Sequence, residues 1–117
     1  MVVVKTFADL KRTIKPGMTL RVVQHNYRPE LTGTLRLVTK VQTTGYYFTM
    51  EGSTGRSWSG FSKASSYSFP APDTYRQDEG IHCSCGHTEE GPHDAKCNLR
   101  TGKRYAWTIR VESEVRS

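Results

Sequence analysis

The chain has 117 residues, the size of one ordinary domain, with room for a single apolar core and not for two independent ones. Its formal charge of +6 sits toward the N-terminal side: residues 1–77 hold 11 Lys and Arg against 4 Asp and Glu, and residues 78–117 hold 6 against 7. No apolar run approaches the roughly 18 residues needed to span a bilayer, and residues 1–4 are too short for the core of a signal peptide, which points to the cytoplasm and away from a membrane.

In chain order, residues 1–5 are apolar and β-branched and suit a short edge strand. Thr6 and Asp9 then form a capping-box-like start for a short helix in which Phe7, Leu10 and Ile14 share a stripe, and Pro16-Gly17 stops it. Residues 16–50 carry the clearest pattern of the chain. Leu20 and Val22, then Leu31, Leu35, Leu37 and Val41, then Tyr46, Phe48 and Met50 alternate with polar residues, as in three antiparallel strands each with one buried face. On this reading Arg21, Arg36 and Lys40 point to solvent. Residues 25–30 form a polar connection around Pro29, Gly33 marks a kink, and Thr43-Thr44-Gly45 makes a turn. Gly52 to Gly55 signals a further hairpin, followed by strands around Arg56 to Phe61 and Tyr67 to Phe69. Pro70-Ala71-Pro72-Asp73 has the composition of an internal linker, with a second lobe after it. Residues 105–111 then show the cleanest alternation, Tyr105, Trp107, Ile109 and Val111 against Ala106, Thr108 and Arg110. A lone strand has no stability, so this one must pair with the earlier sheet, beside residues 1–5 or 18–24.

The segments KPGM, LRVVQHNYRPELTGTLRLVTKVQ, GYYF, RSW and FSKAS, spanning residues 15–69, resemble small proteins of actinobacteria and their phages and, more distantly, KOW and SH3-like barrels. The resemblance implies a mainly all-β fold: a small SH3-like or KOW-like barrel over residues 15–69, closed by a strand at 104–112. Read with the chain length, the helical stripe and the need of the last strand to pair, the whole of residues 1–117 forms a single domain, with a short N-terminal helix and a zinc-binding excursion at 78–103. KOW modules bind RNA, polymerase or ribosome, so the resemblance also implies a nucleic acid or nucleoprotein partner in transcription or translation.

Within the excursion, HCSCGHTEEGPHDAKC holds every cysteine and three of the four histidines. Three cysteines in so short a span suit thiolates on a metal in a reducing compartment better than a disulfide framework. Zinc takes four Cys or His ligands in a tetrahedron, and Cys85, His93 and Cys97 are candidates, with Cys83 or His87 as the fourth. A helix starting at Gly91-Pro92 would aim His93 and Cys97, four apart, at one point. The spacing CxCGHx5Hx3C also resembles a small zinc motif of actinobacterial and phage proteins, departing from it in having one downstream cysteine.

No catalytic constellation accompanies this cluster. HExxH, the downstream PCxxC of nucleotide deaminases, a Walker loop, GxGxxG and GxSxG are all absent, so the zinc reads as structural and the protein as a non-enzyme. For function, Arg21, Arg28, Arg36, Lys40, Arg56 and Lys63 are candidate phosphate contacts, and Tyr27 and Tyr47 candidate stacking groups, with Trp58 a candidate that core packing competes for. The alternative is an accessory factor, of phage or actinobacterial origin, that binds a host protein without nucleic acid.

Overall fold

A computed structural model of the protein describes residues 3–83 and 97–113. The described elements are α1 (Phe7–Thr13), β1 (Thr19–His25), a 3-10 turn (Pro29–Leu31), β2 (Leu35–Gln42), β3 (Gly45–Met50), β4 (Arg56–Gly60), β5 (Ser66–Ala71), β6 (Thr74–Asp78), α2 (Asn98–Thr101) and β7 (Ala106–Ser113). The seven strands form one antiparallel sheet in the order β4-β3-β2-β1-β7-β6-β5. The last strand therefore lies between β1 and β6, and of the two neighbours open to it, residues 1–5 or 18–24, it takes the second. Because β6 and β7 are neighbours, the chain between them is an excursion from one sheet rather than a second lobe.

One face of the sheet is apolar. Leu20, Val22, Val38, Tyr46, Phe48, Tyr75, Ile109 and Val111 bury together, joined by Val4, Leu10, Ile14 and Met18 from the N-terminal segment. Each such side chain contributes about 1.5–3 kcal/mol relative to leaving it in water. Helix α1 begins as its sequence dictates: the Thr6 hydroxyl accepts from the Asp9 amide at 3.1 Å, and Asp9 pairs with Arg12 one turn on. Its stripe places Phe7 against Tyr67 of β5, ring centroids 4.4 Å apart, and against Phe61 just past β4 at 6.3 Å. The helix thus lies where the two edges of the sheet approach each other. Across the same interior, Gln77 of β6 donates to the Gly60 carbonyl at the end of β4 at 3.2 Å, and the Tyr46 and Tyr75 hydroxyls meet at 3.3 Å. These contacts fold the sheet over its own apolar face.

Four expectations need correction. Residues 3–5 form no strand; Val4 is instead fully buried and its amide bonds the Pro72 carbonyl. Leu31 is not in a strand but ends the 3-10 turn, and Gly33, at φ +90°, turns the chain into β2 with its amide on the Val22 carbonyl. Pro70 to Asp73 is not a linker, because β5 runs through Ala71 and turns directly into β6. The phase of β2 is also opposite to the leucine pattern. Arg36 and Val38 face the core, while Leu37 is 43% exposed and borders, with Leu35, Thr19 and Met50, a shallow depression on the outer face. A one-residue change of phase moves every side chain of a strand to the other face, and here it carries a guanidinium inward.

Among the described residues no helix is long and apolar enough to cross a membrane.

Candidate functional site

Basic and aromatic side chains gather in two places that share a border at Trp58. The first is on the outer face of β2, β3 and β4. Lys40 stands opposite Tyr47, and Tyr47 opposite Trp58, so the three make one row across three strands. The register shift between Val38 and Lys40 is what brings Lys40 to the outer face while Val38 stays inside. Tyr47 and Trp58 lie 4.7 Å apart between centroids, and the Arg56 guanidinium sits 4.5 Å over the Tyr47 ring.

Trp58 is 42% exposed, so the core packing that competed for it does not claim it. The reason is the floor beneath it. A Cβ built on Gly45 would come within 2.6 Å of the indole Cζ2 and 2.4 Å of the Ser59 carbonyl oxygen. Only bare backbone at position 45 leaves room for the ring to lie on the strand surface.

The second place is a cavity of about 330 Å3 at the end of the folded sheet, lined among others by His25, Tyr27, Arg28, Arg36, Trp58 and Trp107. Arg36 is only 5% exposed. Its Nη1 donates to the Tyr46 hydroxyl at 3.2 Å and its guanidinium lies 4.3 Å from the centre of the Phe48 ring, but its Nε, shut from water, meets no acceptor. Burial, and then the neighbouring Tyr46, push the Tyr75 hydroxyl well above the ordinary range, so the Tyr75 phenol stays protonated.

His25 is 8% exposed and stacks on Trp107, its cross-strand partner, with centroids 5.7 Å apart. Its Nδ1 accepts from the Arg28 amide at 2.9 Å, which leaves the ring proton on Nε2. Burial first, then the charges of Arg36 and Arg28, hold His25 below the usual histidine range, so the ring is neutral near pH 7. The Trp107 Nε1, like Arg36 Nε, is buried without an acceptor. At the rim Tyr27 stacks on Tyr105 at 4.1 Å with the Lys103 ammonium 5.1 Å above it, and Arg28 pairs with Glu30 at 3.1 Å.

The remaining sequence candidates are placed differently. Arg21 is engaged within the sheet, donating to Glu112 at 2.7 Å and to the Gly33 carbonyl at 2.8 Å. Glu112 also receives Arg110, and these two arginines, Arg110 first, hold its carboxyl below the usual range. Lys63 is exposed on the connection between β4 and β5. His25, Glu79, Lys103 and Trp107 were not legible as site residues. His25 and Trp107 are brought together only by the β1–β7 ladder, which no local motif announces.

Of the proposed metal ligands, Cys85, His87 and His93 lie outside the described residues, as do Gly91 and Pro92. Cys83 and Cys97 are described, and their sulfurs approach to 3.8 Å. Two thiolates about 2.3 Å from one tetrahedral zinc stand about 3.8 Å apart, whereas a disulfide needs about 2.05 Å. The pair therefore fits a shared metal. Cys97 has an extended backbone immediately before α2, and this short helix, Asn98–Thr101, ends on Gly102 in the left-handed conformation. Among the described residues no group of three metal-ligating side chains occurs. The excursion is fastened at its base by a pair of backbone hydrogen bonds, Glu79 amide to Tyr105 carbonyl at 2.8 Å and Tyr105 amide to Gly80 carbonyl at 2.7 Å. Arg104 closes on Asp78 at 3.0 Å. Burial works to raise the Asp78 carboxyl, but the hydrogen bonds from Arg104, the Gly80 amide and Arg76 outweigh it and leave it lowered.

Comparison with protein-family models, curated proteins and solved structures finds no match to this chain.

Proposed function

We propose that the protein is a non-enzymatic binding module, an SH3-like or KOW-like barrel that engages single-stranded nucleic acid, alone or within a nucleoprotein complex of transcription or translation. The observation that carries this reading is the row Lys40, Tyr47 and Trp58 with Arg56 over Tyr47. Exposed rings on a sheet surface offer faces on which bases stack, and flanking cations follow the phosphates between them. Tyr27 with Lys103 and Arg28 repeats the combination at the cavity rim.

A structural zinc belongs to the same reading. Cys83 and Cys97 would hold it together with Cys85 and His93, the 3.8 Å sulfur separation favouring Cys83 over His87. A bound zinc supplies the ordering energy that a polar segment cannot draw from burial.

Fluorescence anisotropy with labelled single-stranded RNA and DNA at about 50 and 200 mM salt tests the proposal. Affinity should fall steeply with salt, and the double variant Tyr47→Ala, Trp58→Ala should lose about 1–3 kcal/mol for each base it no longer stacks. Absence of salt-sensitive binding, together with capture of a protein that survives high salt, would move the function to a protein partner.

A further inference from the structure

The cavity beneath Trp58 has a chemistry that the outer row lacks. Its lining is rich in donors: Arg36, Arg28 and, by the tautomer fixed through Nδ1, His25 Nε2. Arg36 is the group that demands an explanation. It is a permanent cation, 95% removed from solvent by its 5% exposure, and among the described residues it has no carboxylate within ion-pair distance. A phenol and a ring face soften the burial of a guanidinium but do not neutralise it. An anion entering the cavity would.

The walls restrict what that anion is attached to. Tyr27, Tyr105, Trp58 and the stacked His25–Trp107 pair make much of the lining aromatic, and about 330 Å3 is at the small-molecule end of the ligand-pocket range. Glu79 adds one acceptor. Its Oε1 takes hydrogen bonds from Gln77 at 3.2 Å and Ser65 at 3.4 Å, so it is held in place to receive a hydroxyl or amino group. Glu30, the other carboxylate nearby, is occupied by Arg28. A phosphate on a guanidinium, a ring between aromatic walls and a sugar hydroxyl or base amino group on a fixed carboxylate together describe one ligand class.

We propose that the cavity binds a nucleoside phosphomonoester, with its phosphate on Arg36 and its base among the aromatic walls. The inference rests on the nucleic-acid reading above for the kind of anion. Trp58 belongs both to the outer row and to the cavity wall, so a strand lying on the row leads into the cavity with its end. An internal phosphodiester has chain on both sides and does not reach a buried floor, whereas a terminal phosphomonoester does and brings a second charge.

The test uses the unmutated chain and titration calorimetry with 5′-AMP, adenosine and inorganic phosphate, alongside anisotropy of one short single-stranded RNA carrying a 5′-phosphate, a 3′-phosphate or hydroxyls at both ends. A 5′-AMP affinity exceeding that of adenosine by roughly tenfold or more, the effect of one charge-assisted contact, is the expected result. Tighter binding of one phosphorylated end than of the hydroxyl-ended strand identifies the strand terminus as the source. Binding of 5′-AMP with no preference among the strands identifies a free nucleotide. In Arg36→Met the ratio of 5′-AMP to adenosine affinity should fall toward one. If that variant fails to fold, the ligand comparison in the unmutated chain still decides. Equal, weak binding of 5′-AMP and adenosine with no end preference overturns the inference, and if salt-sensitive strand binding persists the broader reading stands without it. Loss of all strand binding overturns the broader reading instead.

Discussion

The outer row and the cavity are built from the same parts, a guanidinium on an aromatic ring with a second ring beside it, yet they are opposite in burial. Arg56 lies over Tyr47 at the surface, where water shields its charge; Arg36 lies over Phe48 inside, with Tyr46 and Tyr75 beneath it. A cation over a ring contributes about 0.5–1 kcal/mol when exposed and about 2 kcal/mol or more when desolvated, but the desolvated cation also forfeits its hydration. The exposed cluster is therefore free to exchange partners at little cost. The buried one is fixed by its neighbours and short of an acceptor. The same residue types give an adaptable surface in one place and a preorganised socket in the other.

Tyrosine truncation should separate the two most clearly. Tyr46 is almost fully buried and holds Arg36, so Tyr46→Ala leaves both a large void and an unsatisfied guanidinium and should cost about 3–5 kcal/mol in denaturant unfolding. Tyr47, its neighbour in sequence but on the outer face, should cost under about 1 kcal/mol when changed to Ala, while strand affinity falls. Similar stability losses for the two would break the division between socket and surface.

Gly45→Ala acts first on the surface cluster. The added Cβ meets Trp58 and the Ser59 carbonyl at distances no real Cβ tolerates, so the indole must lift or the edge strand β4 must shift. A stability cost of about 1–3 kcal/mol is expected, the range for overpacking, with a change in Trp58 fluorescence and weaker strand binding. Unchanged fluorescence would show that the indole does not rest on this glycine.

Metal removal should do the reverse and disturb the cavity. Tyr105, which backs Tyr27, also meets the His82 ring at 5.0 Å, next to Cys83, so the thiol pair and the cavity wall share a short stretch of chain. Chelation, or Cys97→Ser, should speed amide exchange at Glu79 and Tyr105 roughly tenfold, equivalent to about 1.4 kcal/mol of local stability, while the Tyr46 and Ser59 amides stay protected. Metal content measured by elemental mass spectrometry accompanies this. Less than about a tenth of an equivalent, with identical exchange before and after chelation, would remove zinc from the account.

The legible parts of the chain were those where one buried face alternates with one wet face. Leu20 and Val22, Tyr46 and Phe48, and Trp107, Ile109 and Val111 fall as their pattern demands. Strand β2 defeats that logic because both of its faces carry apolar residues: the leucines take the outer face, Val38 takes the inner one, and a polar partner for Arg36 exists inside only because Tyr46 comes from the next strand. Pro70 reads as a breaker, yet it is accommodated in β5 because β5 is the edge of the sheet, where a missing donor is no loss, beside a register shift between Ser68 and Ala71. The outer row was partly visible as basic and aromatic residues in one region. The cavity was not, since its members come from β1, β2, β3, β4, β7 and the connections after β1 and β6, and only the completed topology assembles them.

The smallest effect expected concerns pH and again falls on the cavity alone. His25 is neutral there because burial, Arg36 and Arg28 all disfavour its charged form, so its folded pKa lies below the ordinary value near 6.5 that the unfolded chain restores. Glu30 acts in the other direction but ranks last among the influences on this ring. The unfolded state therefore takes up a proton first as pH falls. The stability contributed by keeping this ring neutral is fully present above about pH 6.5 and is lost progressively as pH drops through that value toward the folded pKa. His25→Phe keeps the stack on Trp107 but cannot titrate, so its unfolding free energy should decline less between pH 7 and pH 5 than that of the unmutated chain. The outer row holds no histidine, and Tyr47→Ala should leave the pH dependence as it was. Parallel pH profiles for His25→Phe and the unmutated chain would mean that the ring is not desolvated by the cavity wall, and the contrast between socket and surface would then rest on Arg36 alone.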